Sequence, residues 1–108
     1  MEGTKTEKLI KVIKIAAANF LERESSGVSL ITVTDVKLSD DNKHATILFT
    51  VLPDDKQKPA LEFAKRMRSE FREYVKNNTK IGIIPMFDFD IDYGEKHRQR
   101  IDEISQNL

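Results

Sequence analysis

LITVTDVKLSDDNKHATILFTVL, Leu30 to Leu52, decides the fold: two alternating apolar stretches flank a polar turn and predict an antiparallel hairpin. In the first strand the period of two puts Leu30, Val36 and Leu38 on one face with Thr32 and Thr34. The second strand gathers Ala45, Ile47, Phe49 and Val51 on one face. The connection, Ser39 to His44, reads SDDNKH. Asp and Asn bond their own backbone and tolerate left-handed conformations, so this length suits a reversal between antiparallel strands.

The hairpin needs partners to bury its apolar face. Upstream, about Thr6 to Arg23, Leu9, Ile13, Ala16, Ala17, Phe20 and Leu21 recur at helical spacing, with Lys5, Lys8, Lys11 and Lys14 among the outward positions. Gly27 and its neighbouring serines end this helix before the first strand. Downstream, Leu52 to Pro59 marks a turn and a helix start, and from Ala60 to Lys76 an apolar stripe of Ala60, Phe63, Ala64, Met67, Phe71, Tyr74 and Val75 predicts a second helical region. After Pro85, Phe87, Phe89 and Ile91 alternate with Asp88, Asp90 and Asp92, a third strand with a solvated face. Ile101, Ile104 and Leu108 then suggest a short C-terminal helix. Three strands with one apolar face, covered by helices, make a two-layer α+β domain.

Length agrees with that economy. A chain of 108 residues holds one core and is too short for two, so residues 1–108 are expected to form a single domain, flexible over about 1–5 and 105–108. There is no cysteine, which excludes disulfides and thiolate metal sites. The sequence shows neither a membrane-length apolar run nor a secretory signal, so a cytoplasmic protein without a membrane partner is expected.

The formal net charge is zero, from 18 basic and 18 acidic side chains, yet Lys56 to Lys80 carries eight basic residues against three acidic ones. Because charges are screened beyond about 10 Å, a neutral domain can still present a positive face. At about 100° per residue, Lys65, Arg68, Arg72 and Lys76 fall in a sector of roughly 80°, whose centre is about 130° from that of the apolar stripe. Such a ridge suits a polyanion, because each neutralised phosphate releases counterions. The plain alternative is a solvated helix face whose cations pair with Glu62, Glu70 and Glu73.

Other motifs carry less. DFDIDYG, Asp88 to Gly94, begins like a calcium loop, but Tyr93 stands where the loop needs glycine and Gln99 where it needs the bidentate acid. On a strand the three carboxylates would also lie roughly 6–7 Å apart along one face, so no metal is expected. His44 and His97 have no second ligand at metal spacing, and neither a nucleophile elbow nor a phosphate loop appears. The chain reads as non-enzymatic, without cofactor or small-molecule substrate.

Three stretches in order resemble the ribosome-binding factor A family, from about Lys8 to Ile104: TVTDVKLSDDNKHATI in the hairpin, MRSEF at Met67 to Phe71, and IPMFDFDID at Ile84 to Asp92. The resemblance implies a type II KH domain of order α-β-β-α-α-β that binds the small ribosomal subunit and its ribosomal RNA during late maturation and in cold adaptation, as an assembly factor. KH domains generally clamp the nucleic-acid backbone with a Gly-rich loop between two helices. The family is similar but has an Ala-x-Gly kink there, and this chain departs from it with Phe63, Ala64 and Lys65. Two outcomes stay open: a milder kink, or one continuous helix.

Arg68 matches the arginine of the family's Arg-Ser-Glu motif. Lys65, Arg72, Lys76 and Lys80 join it as RNA-contact candidates from helix geometry and charge, with Lys43 and His44 at the hairpin turn as weaker ones. The expected partner is the small subunit with its RNA, and a monomer is expected. The competing reading is a protein-interaction module of the same α+β fold, in which the ridge only solubilises.

Overall fold

The computed structural model describes residues 5–24 and 29–94, without the Glu24 side chain. Its elements are α1 (Lys5–Glu24), β1 (Leu30–Leu38), β2 (His44–Leu52), a single 3-10 turn (Asp54–Lys56), α2 (Gln57–Arg66), α3 (Arg68–Asn78) and β3 (Met86–Ile91). This is the expected order α-β-β-α-α-β. Lys5 already belongs to α1, whereas the expected C-terminal helix and the flexible ends at 1–4 and 105–108 lie outside the described residues.

The sheet has the order β1-β2-β3. β1 and β2 are antiparallel, with Leu30 opposite Leu52 and Leu38 opposite Ala45. β3 lies parallel to β2 from His44 opposite Met86 to Phe49 opposite Ile91. The turn between β1 and β2 closes as its composition predicts. Asn42 takes a left-handed φ of 58°, the Ser39 hydroxyl donates to Asp41, and the amides of Lys43 and His44 donate to the side chains of Asp41 and Ser39.

β1 corrects one expectation. The register shifts between Val33 and Asp35, so Thr34 is an extra residue in a β-bulge. An inserted residue reverses which side chains face inward. Ile31 and Val33 pack against the core before the bulge, Val36 and Leu38 do so after it, and Leu30 and Thr32 turn outward. The Thr34 hydroxyl donates to the Asp92 carboxylate and also approaches the Leu48 carbonyl at 3.3 Å. A residue counted as part of a regular alternation thereby ties β1 to the chain just beyond β3.

β2 and β3 follow their alternation. Ala45, Ile47, Phe49 and Val51 are buried, as are Phe87, Phe89 and Ile91. The helices cover this face: α1 presents Ile13, Ala17, Phe20 and Leu21, α2 presents Ala60 and Ala64, and α3 presents Phe71 and Val75. Phe71 is where the layers meet. Its ring lies 5.2 Å from that of Phe20, 4.7 Å from Phe87 and 5.5 Å from Phe89, all tilted or edge-on.

Phe71→Ala would open a cavity between α1, α3 and β3. It is expected to cost about 3–5 kcal/mol of unfolding free energy in urea denaturation. A loss below about 1 kcal/mol would show that these layers do not depend on Phe71.

Candidate nucleic-acid interface

The helical region is not continuous. α2 ends at Arg66 and α3 begins at Arg68, with Met67 between them at φ −93° and ψ 9°. This sparsely populated backbone region is open to a non-glycine residue, so the break needs neither Gly nor Pro. It falls three residues after Ala64, which is fully buried and cannot offer a surface contact. The kink of the resemblance is thus present in a different place, at Met67.

A helix end leaves carbonyls without partners. At the break the Met67 amide donates to both Phe63 and Ala64 carbonyls at 3.1 Å, and Arg68 Nε donates to the Lys65 carbonyl at 3.0 Å. Arg68 therefore helps to close α2 while its guanidinium reaches the β3 edge. At the other end of α3, Thr79 bonds the Val75 carbonyl through both its amide and hydroxyl, and Asn78 bonds that of Tyr74.

With Phe71 and Val75 held inward, Arg68 and Arg72, each three residues before one of them, flank the buried face of α3, and Lys76 lies farther round. Arg68 and Lys76 are exposed, and Arg72 is half-buried. The ridge divides into two parts. Lys65 Nζ lies 3.0 Å and Arg68 Nη1 3.3 Å from the same oxygen of Asp88, Oδ1. Arg72 donates from Nη2 to the Ile84 carbonyl at 3.4 Å and so holds the loop before β3, while its buried Nε has no hydrogen-bond partner among the described residues. Lys76 and Lys80 carry no ion pair among the described residues.

Lys80 leaves the row. It follows the end of α3 and lines a groove with Val12, Ile15 and Tyr74. Lys43 and His44 are exposed at the hairpin turn, where the Met86 amide donates to the Lys43 carbonyl at 2.8 Å. Neither Lys80 nor Lys43 lies on the α3 face itself. Among the described residues Glu62, Glu70 and Glu73 form no ion pair with the ridge, so neutralisation by neighbouring glutamates does not occur there.

Asp88 supplies the neutralising charge. Asp88 lies on the solvated face of β3 as expected, yet it is not free there: it accepts from Lys65, Arg68 and the Phe89 amide. Partial burial pushes its carboxyl up, but the Lys65 hydrogen bond, the Phe89 amide and the charges of Lys65 and Arg68 outweigh that, so its pKa lies below the ordinary 3.8. The other two carboxylates go elsewhere. Asp90 accepts from the Ile91 amide, and Asp92 accepts from Thr34 and the Gly94 amide. The three carboxylates do not converge on a common point.

A carboxyl with a depressed folded pKa stabilises above its unfolded value and loses that contribution as pH falls through the folded one. Asp88→Asn is therefore expected to cost about 0.2–1 kcal/mol near pH 7, the range for a solvent-screened pair, with the difference from wild type shrinking below pH 3.8. Urea titrations from about pH 2 to about pH 7, which bracket the ordinary carboxyl range, check this. A pH-independent difference would contradict the pairing.

Comparison with known proteins identifies the family. The family model described as ribosome-binding factor A matches residues 5–105. Ribosome-binding factor A of Kineococcus radiotolerans is 33% identical over 97 residues, covering 84% of this chain and 55% of that protein. That of Paenarthrobacter aurescens is 30% identical over 106 residues, covering 95% and 64%. The chain thus spans a little over half to under two thirds of the length of these two relatives. The crystal structure of ribosome-binding factor A from Thermus thermophilus aligns with a TM-score of 0.71 at 19% identity, over 82% of this chain and 97% of that one. The solution structure of a Thermotoga maritima protein described as a putative ribosome binding factor A aligns at 0.66 and 21% identity, over 83% of this chain and 90% of that one. These two show the shared KH-like fold. With its model matched along nearly the whole chain, the protein belongs to the ribosome-binding factor A family.

Proposed function

We propose that this protein is a non-enzymatic ribosome assembly factor that binds the small ribosomal subunit and its ribosomal RNA in the cytoplasm during late maturation, with a role in cold adaptation. The α3 side makes the principal contact, through Arg72, Lys76 and the adjacent Lys80, with Lys65 and Arg68 beside them and Lys43 at the hairpin turn. The observation that carries this reading is the exposed Lys76, unpaired among the described residues, which continues the helical row of Lys65, Arg68 and Arg72 on a protein whose total charge is zero. The relatives' name supports the ribosome as partner. Cations of this kind bind phosphate without needing a shaped pocket.

One observation favours the second reading, a protein-interaction module. Val12 and Ile15 are 38% and 53% exposed on α1 and line, with Tyr74 and Lys80, an open groove of about 390 Å³. A protein partner would cover such apolar side chains.

The two readings separate in one experiment. Charge reversal at Lys76→Glu, which lies outside that groove, on a variant shown to fold, is expected to weaken co-sedimentation with small subunits at least roughly threefold and to flatten its salt dependence, each lost phosphate contact removing about 0.7–0.9 from the log–log slope. Unchanged co-sedimentation in that variant, with binding lost on Val12→Ser and Ile15→Ser, would assign the contact to a protein.

A further inference from the structure

Lys65 and Arg68 converge on a single oxygen, which is also how a lysine and an arginine share a phosphate oxygen. Asp88 occupies that position with a carboxylate of the same chain. Its side chain is 46% exposed, and those of Lys65 and Arg68 are 40% and 49% exposed, so the cations remain open to a ligand from solvent. The carboxylate is also held in place. Oδ1 accepts the Phe89 amide at 2.8 Å, anchoring the anion to the backbone of β3.

Asp90, two residues on, gives the contrast. It makes the same kind of bond, to the Ile91 amide at 2.8 Å, without a cation among the described residues. Capping the next amide therefore does not require a basic partner. The meeting of Asp88 with Lys65 and Arg68 is a separate feature, and it withdraws two of the ridge's cations from any incoming anion.

We infer that Asp88 is an intramolecular competitor for phosphate, which holds Lys65 and Arg68 in reserve and attenuates the affinity of the ridge for RNA. The inference rests on the proposed RNA-binding reading. An RNA strand makes its first contact at Lys76 and Arg72, which no carboxylate occupies among the described residues. It gains the full charge of Lys65 and Arg68 only by displacing Asp88. The cost of that displacement falls on every weakly bound RNA, so a polyanion that contacts the ridge briefly is released before it recruits the inner pair.

The test compares two isosteric variants, Asp88→Asn and Asp90→Asn, which change net charge equally and both keep an amide oxygen for the neighbouring N–H. The probes are a single-stranded RNA of about 20 nucleotides and mixed sequence, long enough to span the ridge, and purified small subunits, each titrated across salt with the full chain, after thermal melts confirm folding. Competition predicts that D88N binds the RNA roughly three- to fivefold more tightly than wild type, the scale that a half-exposed ion pair can withhold. Its salt slope should steepen by roughly 0.7–1.4, because each additional neutralised phosphate on a single strand contributes about 0.7. D90N should change affinity less than about twofold, by general charge alone. Equal effects of D88N and D90N, or weaker binding by D88N, would overturn the competition while leaving the ridge as the RNA site. If wild type and D88N both bound RNA and subunits without salt dependence, the RNA-binding reading itself would fall, and the competition with it.

Discussion

The packing of Phe71 is the contact on which the rest depends. Its ring touches Phe20 from α1 and Phe87 and Phe89 from β3, so one side chain of α3 is held by another helix and by the sheet edge at once. That contact fixes the rotation of α3. With Phe71 and Val75 inward, Arg68 reaches Asp88 of β3, Arg72 reaches the Ile84 carbonyl before it, and Lys76 is left exposed. The break at Met67 divides the helical region into α2, which buries Ala60 and Ala64, and α3, which buries Phe71 and Val75.

Electrostatics here is local. The chain sums to zero charge, but screening over about 10 Å makes the sum a poor guide to what a ligand meets. The cations also differ in what else they do. Arg68 closes α2 and pairs with Asp88, Arg72 holds the loop at Ile84, and Lys76 has neither task among the described residues. An unoccupied lysine can offer its full charge to a phosphate. Cations with structural contacts must rearrange or share.

Much of the fold was legible because periodicity and burial agreed. β2, β3 and α1 show their inward faces directly in Ala45–Val51, Phe87–Ile91 and Ile13–Leu21. β1 was legible as a strand but not in its faces, since the bulge at Thr34 depends on pairing and on Asp92, which lies 58 residues away. The break at Met67 was hidden for a related reason. No Gly or Pro marks it, and it is stabilised by where α2 and α3 each pack. For the site, helix spacing found the row of cations, but it could not find Asp88. Alternation correctly turned that residue away from the core, yet only the position of β3 at the sheet edge beside α2 and α3 brings it to Lys65 and Arg68.

The proposed function turns on whether the α3 side of the molecule faces ribosomal RNA. Ultraviolet crosslinking of the full chain to purified small subunits, with mass-spectrometric mapping of both peptide and nucleotide, tests it most directly. Nucleotide adducts are expected to concentrate in the peptides spanning residues 66–86, which hold α3 and the loop that Arg72 anchors. Adducts confined to α1 or to the outer face of β1 and β2, or crosslinks to ribosomal proteins alone, would contradict it.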